Sequence, residues 1–188
     1  MNSARTLADR FRTQRTDRIR VDGIEVLSLV EIDVDPNEVV EILVETSRVD
    51  LDQALNVRSS RGDLVALENR NQPGDDFDTD EGLGFELVTV LASQVNRCEL
   101  AGLSSTTQTL QFWNSWLMGE AQHSWTGNSG IVAEEMDVPT GASARVRLWC
   151  SDGLGDPQFD DLVVVVTVGP MPDSEEDTPL IAGTPEEE

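Results

Sequence analysis

Apolar and polar residues alternate along most of this chain with a period of two, the spacing of a strand that has one covered and one open face. Val26, Val30, Ile32 and Val34 alternate with Leu27, Leu29, Glu31 and Asp33 until Asp35-Pro36-Asn37, a turn signal. The run EVVEILVE at 38–45 is a second strand by its Val and Ile content, 49–57 a third, and LVAL at 64–67 a fourth. Residues 69–82 read as a loop. Beyond them Phe85, Leu87, Thr89 and Leu91 form an alternating face, and TTQTLQFW at 106–113 places Leu110 and Phe112 on one side. IVAEEMDV at 131–138 stops at Pro139. ARVRLWC at 144–150 points Val146, Leu148 and Cys150 inward and Arg145 and Arg147 outward, and SDGLGDP at 151–157 is a turn. LVVVVTV at 162–168 is apolar at odd and even positions alike, so it is expected to lie centrally with both faces covered.

Eight to ten short strands separated by turn signals, with no long 3.6-residue period after residue 21, predict an all-β fold. Eight strands in two sheets is the count of a jelly roll. An immunoglobulin-like sandwich has the same periodicity, but the pattern places no Trp at a buried strand position between Cys98 and Cys150, so that fold's Cys, Trp, Cys order is not expected. The expectation is a single jelly-roll barrel or sandwich of about eight strands over residues 21–169.

Charge divides the chain differently. Residues 1–20 hold Arg5, Arg10, Arg12, Arg15, Arg18 and Arg20 against Asp9 and Asp17, a balance of +4. Residues 21–188 hold seven Arg against thirty-four acids, a balance of −27. Residues 1–20 therefore form a basic N-terminal arm. Within it Leu7 and Phe11, four apart, suit one face of a short helix, with Ser3 as its N-cap. Residues 170–188, PMPDSEEDTPLIAGTPEEE, form an acidic, Pro-containing tail. There is neither Lys nor Tyr in the chain. A net charge of −23 self-repels in dilute buffer, whereas at molar salt the Debye length is about 3 Å and the repulsion is screened. Acid excess without Lys is the balance expected of a halophilic protein; a GC-rich genome that writes Arg in place of Lys is the alternative for the missing Lys, though not for the acids. No apolar run approaches the ~18 residues of a membrane span, and residues 1–20 lack the apolar stretch of a secretory signal, so synthesis in the cytoplasm is expected.

Candidate chemistry is sparse. Asp76, Asp78 and Asp80 in DDFDTDEG occupy the first three ligand positions of a calcium loop, but Glu81 stands where Gly is needed and Leu87 where the bidentate Glu is needed. They are candidates for a looser cation site between strands, or simply a solvated acidic loop. His123 is the sole histidine, with no Gly-X-Ser-X-Gly elbow and no second His to share a metal. No cofactor and no catalysis are expected. Cys98 and Cys150 have no metal-site spacing and are either two small buried side chains or a disulfide. Trp113 and Trp116 fall in FWNSWLM at 112–118, where consecutive large residues cannot all face inward, so both are assigned to a subunit interface. Arg5, Leu7, Arg10, Phe11, Arg12, Arg15, Arg18 and Arg20 are candidates for contact with acidic neighbouring copies or an anionic membrane surface. Nucleic acid is a poor partner: acids interrupt the arm, no Trp or Tyr accompanies it, and the remaining −27 repels phosphate.

The basic arm 3–20, the strand run ending in LVVVVTV at 162–168, the acidic tail 170–188 and the Lys-free acidic composition together resemble the smaller major capsid protein of haloarchaeal icosahedral viruses with an internal membrane. That resemblance implies a single vertical jelly-roll barrel without enzymatic activity, residing in the virion. It implies pairing with other copies and with a second capsid protein to build a shell over the membrane, with Arg5 to Arg20 at the base. The alternatives are a cell-surface or adhesion sandwich of a halophilic archaeon, and a jelly-roll carbohydrate-active enzyme.

Overall fold

A computed structural model of the protein describes residues 5–60, 64–69, 87–102 and 104–170. Among the described residues one helix, α1 (Leu7–Gln14), precedes thirteen strands. The first seven are β1 (Arg18–Val21), β2 (Ile24–Leu27), β3 (Val30–Val34), β4 (Glu38–Ser47), β5 (Asp52–Ser59), β6 (Leu64–Asn69) and β7 (Leu87–Leu91). They are followed by β8 (Arg97–Gly102), β9 (Gln108–Met118), β10 (Ala121–His123), β11 (Asn128–Glu135), β12 (Ala144–Gly153) and β13 (Leu162–Pro170). Their antiparallel pairings make two sheets. The larger has the order β1-β2-β11-β12-β13-β4-β8-β6, and the smaller β10-β9-β5-β7 with β3 also on β9.

Reading β2, β3, β4, β5, β7, β8, β9 and β11 along the chain, the strands alternate between the sheets except at β5 and β7, which pair with each other in the smaller sheet, as in a jelly roll. One sheet has β2, β11, β4 and β8 in its order, and the facing sheet β3, β9, β5 and β7. The departure is that the place of one strand, next to β4, is filled by the three-strand meander β11-β12-β13. The all-β, jelly-roll-like sandwich expected from the alternation is present, wider than eight strands.

The core between the sheets takes one side of most strands. Leu55 and Val57 of β5, Leu110 and Phe112 of β9, and Leu148 and Cys150 of β12 all enter it, as the alternation predicts for β9 and β12. Leu162, Val164, Val166 and Val168 of β13 join them, while Val163 and Val165 are buried on the other face. Those two lie across the ladder from Trp149 and Arg147, whose guanidinium sits 5.6 Å from the indole centroid. Long side chains of the neighbouring strand thus shelter the outer face of β13.

Two expectations from the pattern are corrected. The run 26–34 is two strands, because Ser28 and Leu29 cross from one sheet to the other. In β7 the faces are reversed: Val88 and Val90 meet the core and Leu87 is exposed. With Leu or Val at four of its five positions, β7 has no polar alternation to fix its orientation; pairing with β5 does.

The boundary expected at residue 20 falls inside β1, and the arm is docked on the domain. Val26 and Val132 lie on the outer face of the large sheet, since their neighbours Leu27 and Ile131 belong to the core. Leu7, Ile19 and Val26 form a second buried cluster there, with Phe11, Val21 and Phe159 around it. The N-cap is Thr6 rather than Ser3, its hydroxyl accepting from the Asp9 N–H at 3.2 Å. The Leu7 N–H donates to Asn128 Oδ1 and the Ala8 N–H to the Gly127 carbonyl, both at 3.0 Å. These bonds fasten the helix start to the turn that enters β11. Gly130 makes the close approach possible: a Cβ there would stand 2.7 Å from Val26 Cγ1 and 3.3 Å from Leu7 Cδ1.

Cys98 and Cys150 are both buried and unpaired, which corrects the disulfide alternative. They lie on β8 and β12, three strands apart in one sheet, or about 14 Å at ~4.8 Å per strand. A bridge needs Cα atoms within about 7 Å.

Leu7→Ala is expected to destabilise the protein by about 2–5 kcal/mol in denaturant titrations at constant salt, the cost of a buried Leu truncation. An unchanged midpoint would mean the helix is not part of the fold. Burial raises the Cys150 thiol and pushes Cys98 up to about 11, with the Glu99 charge adding to the latter. Neither thiol is expected to react with a thiol reagent at pH 8 until the protein unfolds, when both are titrated.

Candidate functional site

α1 ends where Arg15 takes a left-handed conformation (φ 52°) and donates its N–H to the Phe11 carbonyl. The chain then turns through Thr16 and Asp17 into β1, and the Ser28 N–H donates to the Asp17 carbonyl at 2.8 Å. Beside this corner stands Trp125, also left-handed at φ 53°, a conformation that costs a bulky residue about 1–3 kcal/mol. Two contacts hold it there. Its indole N–H donates to the Ser28 carbonyl at 3.0 Å, and its ring stacks on Trp113 with centroids 5.1 Å apart. Trp125 nevertheless remains 46% exposed.

Between the helix end, the Ser28–Leu29 crossing and this indole lies a groove of about 660 Å³. Phe11, Leu29, Ala8 and Trp125 give it apolar walls, and Arg12 and Arg15 lie at its edge with Asp17 as the opposing charge. The start of α1 is not an anion site, because its first N–H groups are taken by Asn128, Gly127 and Thr6. What the groove offers is an apolar slot with two guanidinium groups.

Two groups of described arginines differ in their partners. Arg48, Arg97 and Arg147 each hold two or three carboxylates: Asp50, Asp152 and Asp161; Glu41 and Glu99; Glu45 and Glu134. At the N-terminal corner, Arg12 has only the exposed Asp9 at 3.0 Å and Arg18 only Glu25 at 3.7 Å. Arg10 donates to the Arg20 carbonyl. Arg5, Arg15 and Arg20 are exposed and have no carboxylate within ion-pair distance among the described residues.

The structure separates the residues nominated from sequence. Phe11, Arg12 and Arg15 come together in the groove, and Trp113 backs it by stacking on Trp125. Leu7 is core. Trp116 is corrected from interface to core: it is 2% exposed and stacks on His123 with centroids 5.9 Å apart. In β9 the inward positions are Phe112, Asn114 and Trp116, so the two tryptophans, three apart, occupy opposite faces. Asp76, Asp78 and Asp80 lie outside the described residues. Trp125 was not singled out from sequence; its place in Trp125-Thr126-Gly127-Asn128, a turn-forming stretch, was the available signal.

A second cluster was also not singled out. Asp152 and Asp161, both buried, come together at the end of the sandwich where β4 passes to β5 and β12 to β13. Arg48 Nη1 donates to Asp152 at 2.7 Å and to Asp161 at 3.3 Å, and Gln53 Nε2 donates to Asp152 at 3.2 Å. Burial raises the Asp161 carboxyl above its ordinary range, the backbone N–H of Asp152 opposing the shift. A carboxylate pair of this kind is the equipment of a glycosidase, but here the guanidinium bridges the two acids and the cluster ties loops together.

Arg48→Ala is expected to leave two buried carboxylates without their cation and to cost about 3–5 kcal/mol at neutral pH. In that variant the Asp161 carboxyl, already raised by burial, loses the Arg48 charge that opposes the shift and rises further above its unfolded value. The folded state then binds more protons than the unfolded one, so the deficit shrinks as pH falls toward the carboxylate range. A deficit independent of pH in denaturant titrations would contradict this account.

Searches against known protein families, curated proteins and solved structures each return no match to this chain.

Proposed function

We propose that the protein is a structural shell subunit, a viral capsid protein that assembles with copies of itself and with a second capsid protein over an internal membrane. The observation that carries this reading is the exposed corner of Arg5, Arg15 and Arg20, without carboxylate partners among the described residues, on a chain whose residues 21–188 carry −27. Acidic domains at close quarters repel one another, and a concentrated cationic corner gives each a place to hold an acidic neighbour or an anionic layer. The jelly-roll strand order, which serves capsids as well as lectins and other proteins, supports the reading at the level of architecture. The docked helix supports it too, since it holds the corner in fixed geometry. The proposed setting is the virion, at the high salt that the composition fits.

Sedimentation of the full chain at molar salt tests the reading. The wild type is expected to form oligomers that grow with concentration. Arg5→Glu with Arg20→Glu is expected to keep the wild-type circular dichroism, because both residues are exposed, and to raise the concentration needed for assembly about tenfold or more. A wild-type chain that stays monomeric across the concentration range sinks the proposal.

A further inference from the structure

We infer that the groove between α1, the Ser28–Leu29 crossing and Trp125 takes the C-terminal segment of a second copy of this chain, residues 171–188. The inference rests on the shell reading and names the contact that would join two subunits.

Residues 171–188, which lie outside the described residues, read MPDSEEDTPLIAGTPEEE. Pro179, Leu180 and Ile181 stand between the acidic runs 173–177 and 186–188. The groove offers complementary chemistry, lined by the apolar Phe11, Leu29 and Trp125 and by Arg12 and Arg15 against one acid, Asp17. Its volume of about 660 Å³ suits a few side chains rather than a whole domain. Trp125 supplies an independent sign of use. A bulky side chain held left-handed and half exposed presents a fixed aromatic surface, and such strain concentrates at ligand-holding positions.

Direction favours a second copy over the chain's own end. Leu27, Ile131, Cys150 and Leu162 form one row across the large sheet, next to the groove. From that row β13 runs eight residues further to Pro170, about 26 Å at ~3.3 Å per residue. The chain therefore leaves the domain at the end away from the groove. Returning would consume most of the first ten residues of the segment before Leu180 could enter. Passing to a neighbour requires no reversal and produces a head-to-tail contact, the kind that closes into rings when the rotation allows. Molar salt is compatible with the pairing: apolar contact is not weakened, and guanidinium–carboxylate bonds are about as short as the screening length.

Mixing two full-length variants tests this. Arg12→Glu with Arg15→Glu disables the groove, and Leu180→Ser with Ile181→Ser disables the segment. Each variant alone is expected to keep the wild-type fold and to need at least about tenfold higher concentration to associate in sedimentation at molar salt. Mixed, they are expected to form one-to-one pairs, because one supplies an intact groove and the other an intact segment. Variants that assemble as the wild type does overturn the contact while leaving the shell reading standing. Defective variants that do not rescue each other assign the segment to its own groove and overturn exchange between copies. Anionic vesicles that bind the wild type but not the groove variant, without rescue on mixing, assign the groove to lipid and overturn the proposal. A monomeric wild type overturns both readings together.

Discussion

Strand β13 is apolar on both faces, and the rest of the domain is arranged to keep water from both. Its core-side row, Leu162, Val164, Val166 and Val168, faces the smaller sheet. Its outer row, Val163 and Val165, has no second sheet above it among the described residues and lies beside Trp149 and Arg147 of β12. Burying a Val or Leu side chain is worth about 1.5–3 kcal/mol, so a strand with both rows covered contributes more than one with a single row. That accounts for its position inside the eight-stranded sheet, paired with β12 on one side and β4 on the other. It also accounts for the long Arg147 and Trp149 side chains on the outer surface beside it, which are held by Glu45 and Glu134.

Acidity sets the second constraint. With thirteen positive residues against thirty-six acids, the chain cannot pair most of its carboxylates internally. Arg48 is placed where desolvation would otherwise be most costly, against the buried Asp152 and Asp161. Arg97 holds Glu41 and Glu99, which face each other on the adjacent strands β4 and β8 where like charges would repel, and Arg147 reaches from β12 to Glu134 of β11 and Glu45 of β4. The arginines of the N-terminal corner do little such internal work. Their surplus, fixed by a helix whose Leu7 is part of the core, is what turns an acidic sandwich into a candidate for association.

The two aromatic pairs show how one strand serves two purposes. From β9, Trp116 points inward to His123 and takes part in closing the sandwich, while Trp113 points outward and supports Trp125. Stability and a prepared surface thus share a backbone segment.

The sequence by itself determined the elements whose pattern has one physical solution. Alternation at 106–113 and 144–150 set the inward faces of β9 and β12, because a strand with polar residues at every second position can bury only the other set. The uninterrupted run at 162–168 fixed β13 as covered on both faces for the same reason. The charge contrast between residues 1–20 and the remainder marked the basic corner, since charge is additive along a chain. Tertiary structure decided whatever depended on partners distant in sequence. The face of β7 was open because four of its five residues are Leu or Val, and only pairing with β5 oriented it. The arm's Leu7 and Phe11 could have met a neighbour, but Val26 and Val132 offered an apolar patch within the same molecule, and Gly130 left the space to reach it. Trp125 had no local signature of exposure; its conformation is set by Ser28 and Trp113, ninety-seven residues before it and twelve before it. Asp152 and Asp161 looked like two acids among many, and only folding brought Arg48 between them. Periodicity records which side of a strand is dry, whereas a groove or a buried ion pair exists only once separate strands are brought to the same place.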